Sequence, residues 1–234
     1  MEMRTLGLIG GMSYHSTIDY YKGINDAVAS RVGGHASAPL LLSSVDFRTI
    51  RARQVAEDWD GAGQVLAQHA RTLQTAGAQA LLICANLMHK VAPQVAQAVN
   101  IPLLHIADAV AQQARTLGQS CLGILGTKWT MLDRFYADRL LEWGIGVVQA
   151  SPDDAEVASR IVFEELTRGI VRDDSRRALL EVIDRLASQG AGAVVLACTE
   201  LPLILRDDDA DIPLINSTTV HIEAAVRFCL GEVA

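Results

Sequence analysis

The sequence predicts an α/β protein of two similar α/β/α lobes, each on a mostly parallel four-stranded sheet. Three observations carry this. Strand-length apolar runs alternate with helix-length amphipathic segments along the whole chain, the pattern of parallel sheets covered by helices. Three blocks of the first half recur in the second at nearly constant offset. These are LGLIGGM from Leu6 with LGILGTK from Leu122 (122 − 6 = 116), the runs ending in Cys84 and Cys198 (198 − 84 = 114), and NIPLLHIAD from Asn100 with DIPLINSTT from Asp211 (211 − 100 = 111). Both cysteine runs, LLIC and VVLAC, also follow an Ala/Gly-rich lead-in, AGAQA and QGAGA, as a duplicated unit would.

Taken in order, the expected strands are Thr5–Ile9, Leu40–Val45, Leu81–Cys84 and Pro102–His105, then Cys121–Leu125, Gly146–Gln149, Val194–Cys198 and Pro213–Ile215. Each is a short apolar run bounded by Gly, Pro or polar residues, which reads as a buried strand. The offsets divide the chain into a first lobe over 1–115 and a second over 116–212, with 213–234 returning to the first. A pseudo-twofold between such lobes would face their strand ends across a cleft, a usual place for a small-molecule site. Cys84 and Cys198 then stand at equivalent carboxyl ends of strands. A following helix N-terminus favours a thiolate there.

Composition bounds the function. Half of the 234 residues are hydrophobic, ample for a core, and the net charge of −7 offers no basic patch for nucleic acid or an anionic membrane surface. The start, MEMRTLGLIGG, lacks the basic and apolar regions of a signal peptide and reads as a first strand. With no apolar run of membrane-spanning length, the expectation is a cytoplasmic protein. The four cysteines, Cys84, Cys121, Cys198 and Cys229, have no CxxC spacing and read as reduced thiols rather than disulfides or a zinc site.

Gly10-Gly11 lies between a strand and a helix but lacks the G-x-G-x-x-G spacing of a dinucleotide site; a tight turn that admits a ligand to the backbone fits better. Ser13, Ser16 and Thr17 then offer hydroxyls and a helix cap. Cys121 and Cys229 read as small core residues, whereas the repeat sets Cys84 and Cys198 apart. Cys84 and His89 are too few for a metal site, and His221 either lines the cleft or caps its helix. Glu200, two residues after Cys198, could orient a substrate ammonium or tune the thiol.

With these residues assembled, the chain resembles the aspartate/glutamate racemase superfamily over essentially its full length. The carriers are GLIGGMS (7–13), the C-x-N-x-M-H segment Cys84–His89, and Cys198-Thr199-Glu200. Ser44–Phe47 (SVDF), Gln54, His105–Asp108 (HIAD) and Ile161–Leu166 (IVFEEL) bring it nearest to the cofactor-independent amino-acid racemases of broad specificity. The resemblance implies a homodimer that interconverts L- and D-amino acids by two-base proton transfer, without pyridoxal phosphate, metal or other cofactor. Carried across by position, Cys84 and Cys198 are the acid–base pair, and Met12, Gln54, Ala85, Asn86, Thr127 and Thr199 line the substrate site beside Glu200. Ala85 stands where the family often has Thr. Thr167 stands where aspartate-specific members tend to have Lys, which points to a neutral or variable substrate side chain. The alternatives are another reaction of the superfamily, cis–trans isomerisation or decarboxylation, and a non-catalytic protein that binds a small ligand or senses redox state through its thiols.

Overall fold

The computed structural model describes residues 2–206 and 208–232. In chain order the elements are β1 (Leu6–Gly10), α1 (Tyr14–Val32), β2 (Leu40–Ser44), α2 (Phe47–Val55), α3 (Trp59–Thr75), β3 (Ala80–Ile83), α4 (Ala92–Gln97) and α5 (Ile106–Thr116). Then come β4 (Cys121–Leu125), α6 (Lys128–Leu132), α7 (Arg134–Glu142), β5 (Gly146–Val148), α8 (Pro152–Glu164), α9 (Asp173–Ser188), β6 (Ala193–Leu196), β7 (Leu214–Asn216) and α10 (Ser217–Leu230). Short 3₁₀ turns at Leu87–Val91 and Leu201–Leu203 come after β3 and β6.

All strand pairs are parallel, in two sheets of order β2-β1-β3 and β5-β4-β6-β7. The expected fourth strand of the first sheet, Pro102–His105, contributes only a parallel bridge between Leu81 and Leu103. Its hydrogen bonds, Leu81 N–H to Pro102 O (2.9 Å) and Leu104 N–H to Leu81 O (2.9 Å), still extend the sheet beside β3. Proline supplies no N–H for a longer ladder, and α5 begins at Ile106. With that bridge, both sheets have the same order.

The chain forms two compact units, Met1–His105 with His221–Ala234, and Ile106–Val220. The first division therefore falls before α5 rather than after it. Ile106, Ala107, Val110, Ala111 and Ala114 of α5 pack with Leu122 and Ile124 of β4 and with Ala193 and Val195 of β6. The return to the first unit begins at His221, not at residue 213, because β7 pairs with β6. Beyond His221, Ala225, Val226, Cys229 and Leu230 pack on Leu6 and Leu8 of β1.

Each central sheet is buried on both faces, and alternation along its strands assigns side chains to one layer or the other. In the first unit Ile9, Leu81 and Ile83 join the layer of α2 and α3, while Leu6, Leu8, Ala80 and Leu82 join that of α1 and α10. In the second, Leu125, Val194 and Leu196 pack with α8 and α9, and Leu122, Ile124, Ala193 and Val195 with α5 and α7.

Candidate active site

Within each unit, several residues singled out from the sequence follow the carboxyl ends of central strands, where open parallel sheets place their ligands: Gly11 and Met12 after β1, Cys84 to Asn86 after β3, Thr127 after β4 and Cys198 to Glu200 after β6. In the second unit, β6 ends at Leu196, level with Leu125 of β4, and Ala197 N–H continues the ladder to Leu125 O at 2.7 Å. The loop after β4 comes close. A Cβ on Gly126 would stand 2.9 Å from Ala197 O, so only glycine fits without displacing that backbone. Thr127, buried, is the N-cap residue of α6, its Oγ1 3.2 Å from that of Thr130.

Cys198, Thr199 and Glu200 form one hydrogen-bonded group. The Cys198 thiol donates to Glu200 Oε2 (3.1 Å), and the Thr199 hydroxyl donates to the same oxygen (2.8 Å). Burial, then the Glu200 carboxylate, push the Cys198 thiol well above its ordinary range, since both disfavour a thiolate. The resting group is thus a thiol with its proton directed at a carboxylate.

In the first unit, Gly11 turns out of β1 with φ +92°, and its N–H donates to Thr17 Oγ1 (2.8 Å). Met12 packs in the same layer as Ala85 and Met88. Gln54, buried on α2, donates from Nε2 to Met88 Sδ (3.3 Å) and accepts from Arg51 Nη1 (3.4 Å). Asn86 is buried at the start of the 3₁₀ turn, which His89 pins through an Nδ1 contact of 2.8 Å to Ala85 O. Two hydroxyls expected to face a ligand are engaged internally: Ser16 donates to Cys84 O (2.9 Å) and Thr17 to Ser13 O (3.2 Å). His221 is a core residue, its ring held between Tyr20 OH (2.7 Å) and Leu104 O (2.8 Å). Arg51, one turn before Gln54 on α2, is half-buried, and burial lowers its pKa.

The two cysteines are not in step. Ile83 is level with Ile9 and Cys84 N–H bonds Ile9 O at 3.0 Å, the bond that Ala197, not Cys198, makes in the second unit. Cys84 comes directly after its strand, whereas Cys198 lies one residue further on. Strand alternation converts that step into a change of face: Cys84 packs with Leu6, Tyr20 and Ala225 on the α1/α10 side, while Cys198 packs with Leu196 and Leu201 on the α8/α9 side. Cys84 is fully buried, and burial drives its pKa far upward.

Both thiols stay protonated in the folded protein, so they lower stability at alkaline pH. Above about 8.5 an unfolded cysteine releases its proton and a folded one with a raised pKa does not. By pH 9.5 this costs about 1.4 kcal/mol per thiol, and urea midpoints should fall between pH 8 and pH 9.5. Cys84→Ala should flatten that fall; an equal slope in the variant would contradict the burial of Cys84 as a thiol.

The profile of the Asp/Glu/hydantoin racemases matches residues 9–225. The chain belongs to that family. Among solved structures, a candidate Asp/Glu racemase from Yersinia pestis is 43% identical and superposes with a TM-score of 0.92, covering 97% of this chain and 100% of that one. An aspartate racemase homologue from Pyrococcus horikoshii is 31% identical with a TM-score of 0.84 over the same shares. The broad-specificity amino-acid racemase RacX of Bacillus subtilis is 22% identical over 174 residues, 74% of this chain and 75% of its own length. Among the described residues no helix is long and apolar enough to cross a membrane, and no group of three His, Cys, Asp or Glu could hold a metal ion.

Proposed function

We propose that this racemase-family protein removes and returns the α-proton of a free amino acid by thiol acid–base chemistry, without pyridoxal phosphate. The observation that carries the reading is the Cys198–Glu200 hydrogen bond at the carboxyl end of β6. Glu200 accepts the thiol proton, and the thiolate so formed takes the proton from Cα. In the return step the thiol protonates the carbanion. A general acid–base group of this kind contributes about 10²–10⁴-fold. The Thr167 hydroxyl is turned back to Phe163 O (2.9 Å), which suits a substrate whose side chain need not be acidic.

The test is incubation of single enantiomers, acidic and neutral, with the purified protein in D₂O. Proton NMR should show loss of the Cα–H signal for at least one amino acid, at a rate indifferent to hydroxylamine and to a chelator. No exchange with any of the common amino acids, or exchange abolished by hydroxylamine, would sink the reading.

A further inference from the structure

We infer that Ala85, and not Cys84, occupies the place in the first unit that corresponds to Cys198, so that only the second unit carries an acid–base thiol at this position. The inference rests on the proposed proton transfer at Cα and deepens it.

Three observations agree. The first is register. Ile83 and Leu196 are the last paired residues of β3 and β6, level with Ile9 and Leu125, and the next residues, Cys84 and Ala197, make the same ladder bond to those partners. Counting one further brings Ala85 level with Cys198. The second is packing. Ala85 belongs to the layer of Ile9, Leu81 and Ile83, as Cys198 belongs to that of Leu125, Val194 and Leu196. Cys84 shares its layer with Leu6, Leu8 and Leu82, as Ala197 does with Leu122, Ile124 and Val195. The third is the turn beyond each strand. Met88 and Leu201 stand three residues after Ala85 and Cys198 and join those same layers. Between them, Asn86 answers Thr199 and Leu87 answers Glu200, so the first unit lacks both the thiol and the carboxylate that accepts its proton.

The chemistry is correspondingly one-sided. The Cα–H bond breaks as its proton passes to the Cys198 thiolate. The resulting thiol exchanges that proton for deuterium with solvent through Glu200, and the deuteron returns to the same face of Cα. Configuration is retained. Inversion needs a second proton donor; the methyl group of Ala85, at the equivalent position of the first unit, can neither give nor take a proton, and that step is left to water.

In D₂O, therefore, the wild-type protein should exchange one enantiomer at least tenfold faster than the other, and chiral chromatography should show inversion at least tenfold slower than exchange. Cys84→Ala should leave both rates within threefold. Ala85→Cys should raise inversion at least tenfold. Residue-resolved labelling with iodoacetamide provides a readout without turnover: in the native protein Cys198 and the thiol introduced by Ala85→Cys react, while Cys84 reacts only on unfolding. Equal exchange of both enantiomers with rapid inversion, lost in folded Cys84→Ala, would overturn the inference and leave the proposed function standing. Absence of all exchange would defeat the proposed function, and labelling of native Cys84 as fast as Cys198 would then overturn the inference as well.

Discussion

Cys198→Ser should lower Cα–H exchange by about 10²–10⁴-fold, because a hydroxyl is a far weaker acid and base than a thiol at neutral pH. That range corresponds to about 3–5.5 kcal/mol of lost transition-state stabilisation. Serine keeps the volume and can keep the hydrogen bond to Glu200, so the urea midpoint should move little. Glu200→Gln separates the two parts of the group. The carboxylate raises the Cys198 pKa both by its charge and by its hydrogen bond, so the amide should bring the thiol nearer its ordinary range. Alkylation of Cys198 should then begin at lower pH, yet exchange should still fall, because the acceptor of the thiol proton is gone. A Glu200→Gln variant that is both more readily alkylated and faster in exchange would remove Glu200 from the proton path. Retention of exchange within tenfold by folded Cys198→Ser would remove Cys198 itself.

The second large effect is on stability. His221 is fully buried, with Tyr20 OH on one ring nitrogen and Leu104 O on the other. A carbonyl can only accept, so Nε2 carries the proton and Nδ1 accepts from Tyr20 in the neutral ring. The ring also packs edge-on against Tyr20 and lies against His89, with centroids 5.5 and 5.6 Å away. His221→Ala leaves a cavity and removes the imidazole that bonds the buried Tyr20 hydroxyl and the half-buried Leu104 carbonyl. We expect a loss of about 3–5 kcal/mol, most of it from the cavity and about 1–3 kcal/mol from the lost hydrogen bonding. Tyr20→Phe removes only the hydroxyl and should cost about 1–3 kcal/mol. Urea unfolding of both variants at pH 7.5 checks this, and a cost below about 1 kcal/mol for His221→Ala, less than the lost hydrogen bonding alone, would show that the pair does not anchor α10 to the first sheet.

Much of the fold could be read from the chain alone because its signals are local. Apolar runs with Gly and Pro at their borders mark the strands, and seven of those expected form within a residue or two of their places. The eighth, Pro102–His105, was legible as a sheet neighbour, but its missing donor and the early start of α5 reduce it to a bridge. The unit division was less legible. Whether α5 and β7 belong to one core or the other depends on which apolar face meets which sheet, and an amphipathic helix such as α5 carries no mark of its partner. His221 illustrates the same limit: its spacing allowed a site or a cap, and the contacts that make it a core residue come from Tyr20, 201 residues away, and Leu104, 117 residues away.

The sequence by itself determined the α/β class, the duplication, the family, and the placing of Cys198, Thr199 and Glu200 just after a strand. Tertiary structure alone decided which residue of the first unit stands level with Cys198. Motif alignment matches cysteine to cysteine because the letters agree, but hydrogen-bond register decides the face, and one residue of register is the difference between a side chain in one layer and a side chain in the opposite layer. Cys84 meets Tyr20 and α10, far along the chain, on the face its register assigns to it. Ala85 joins the layer of Met12 and Met88 because the backbone ladder from Ile9 puts it there.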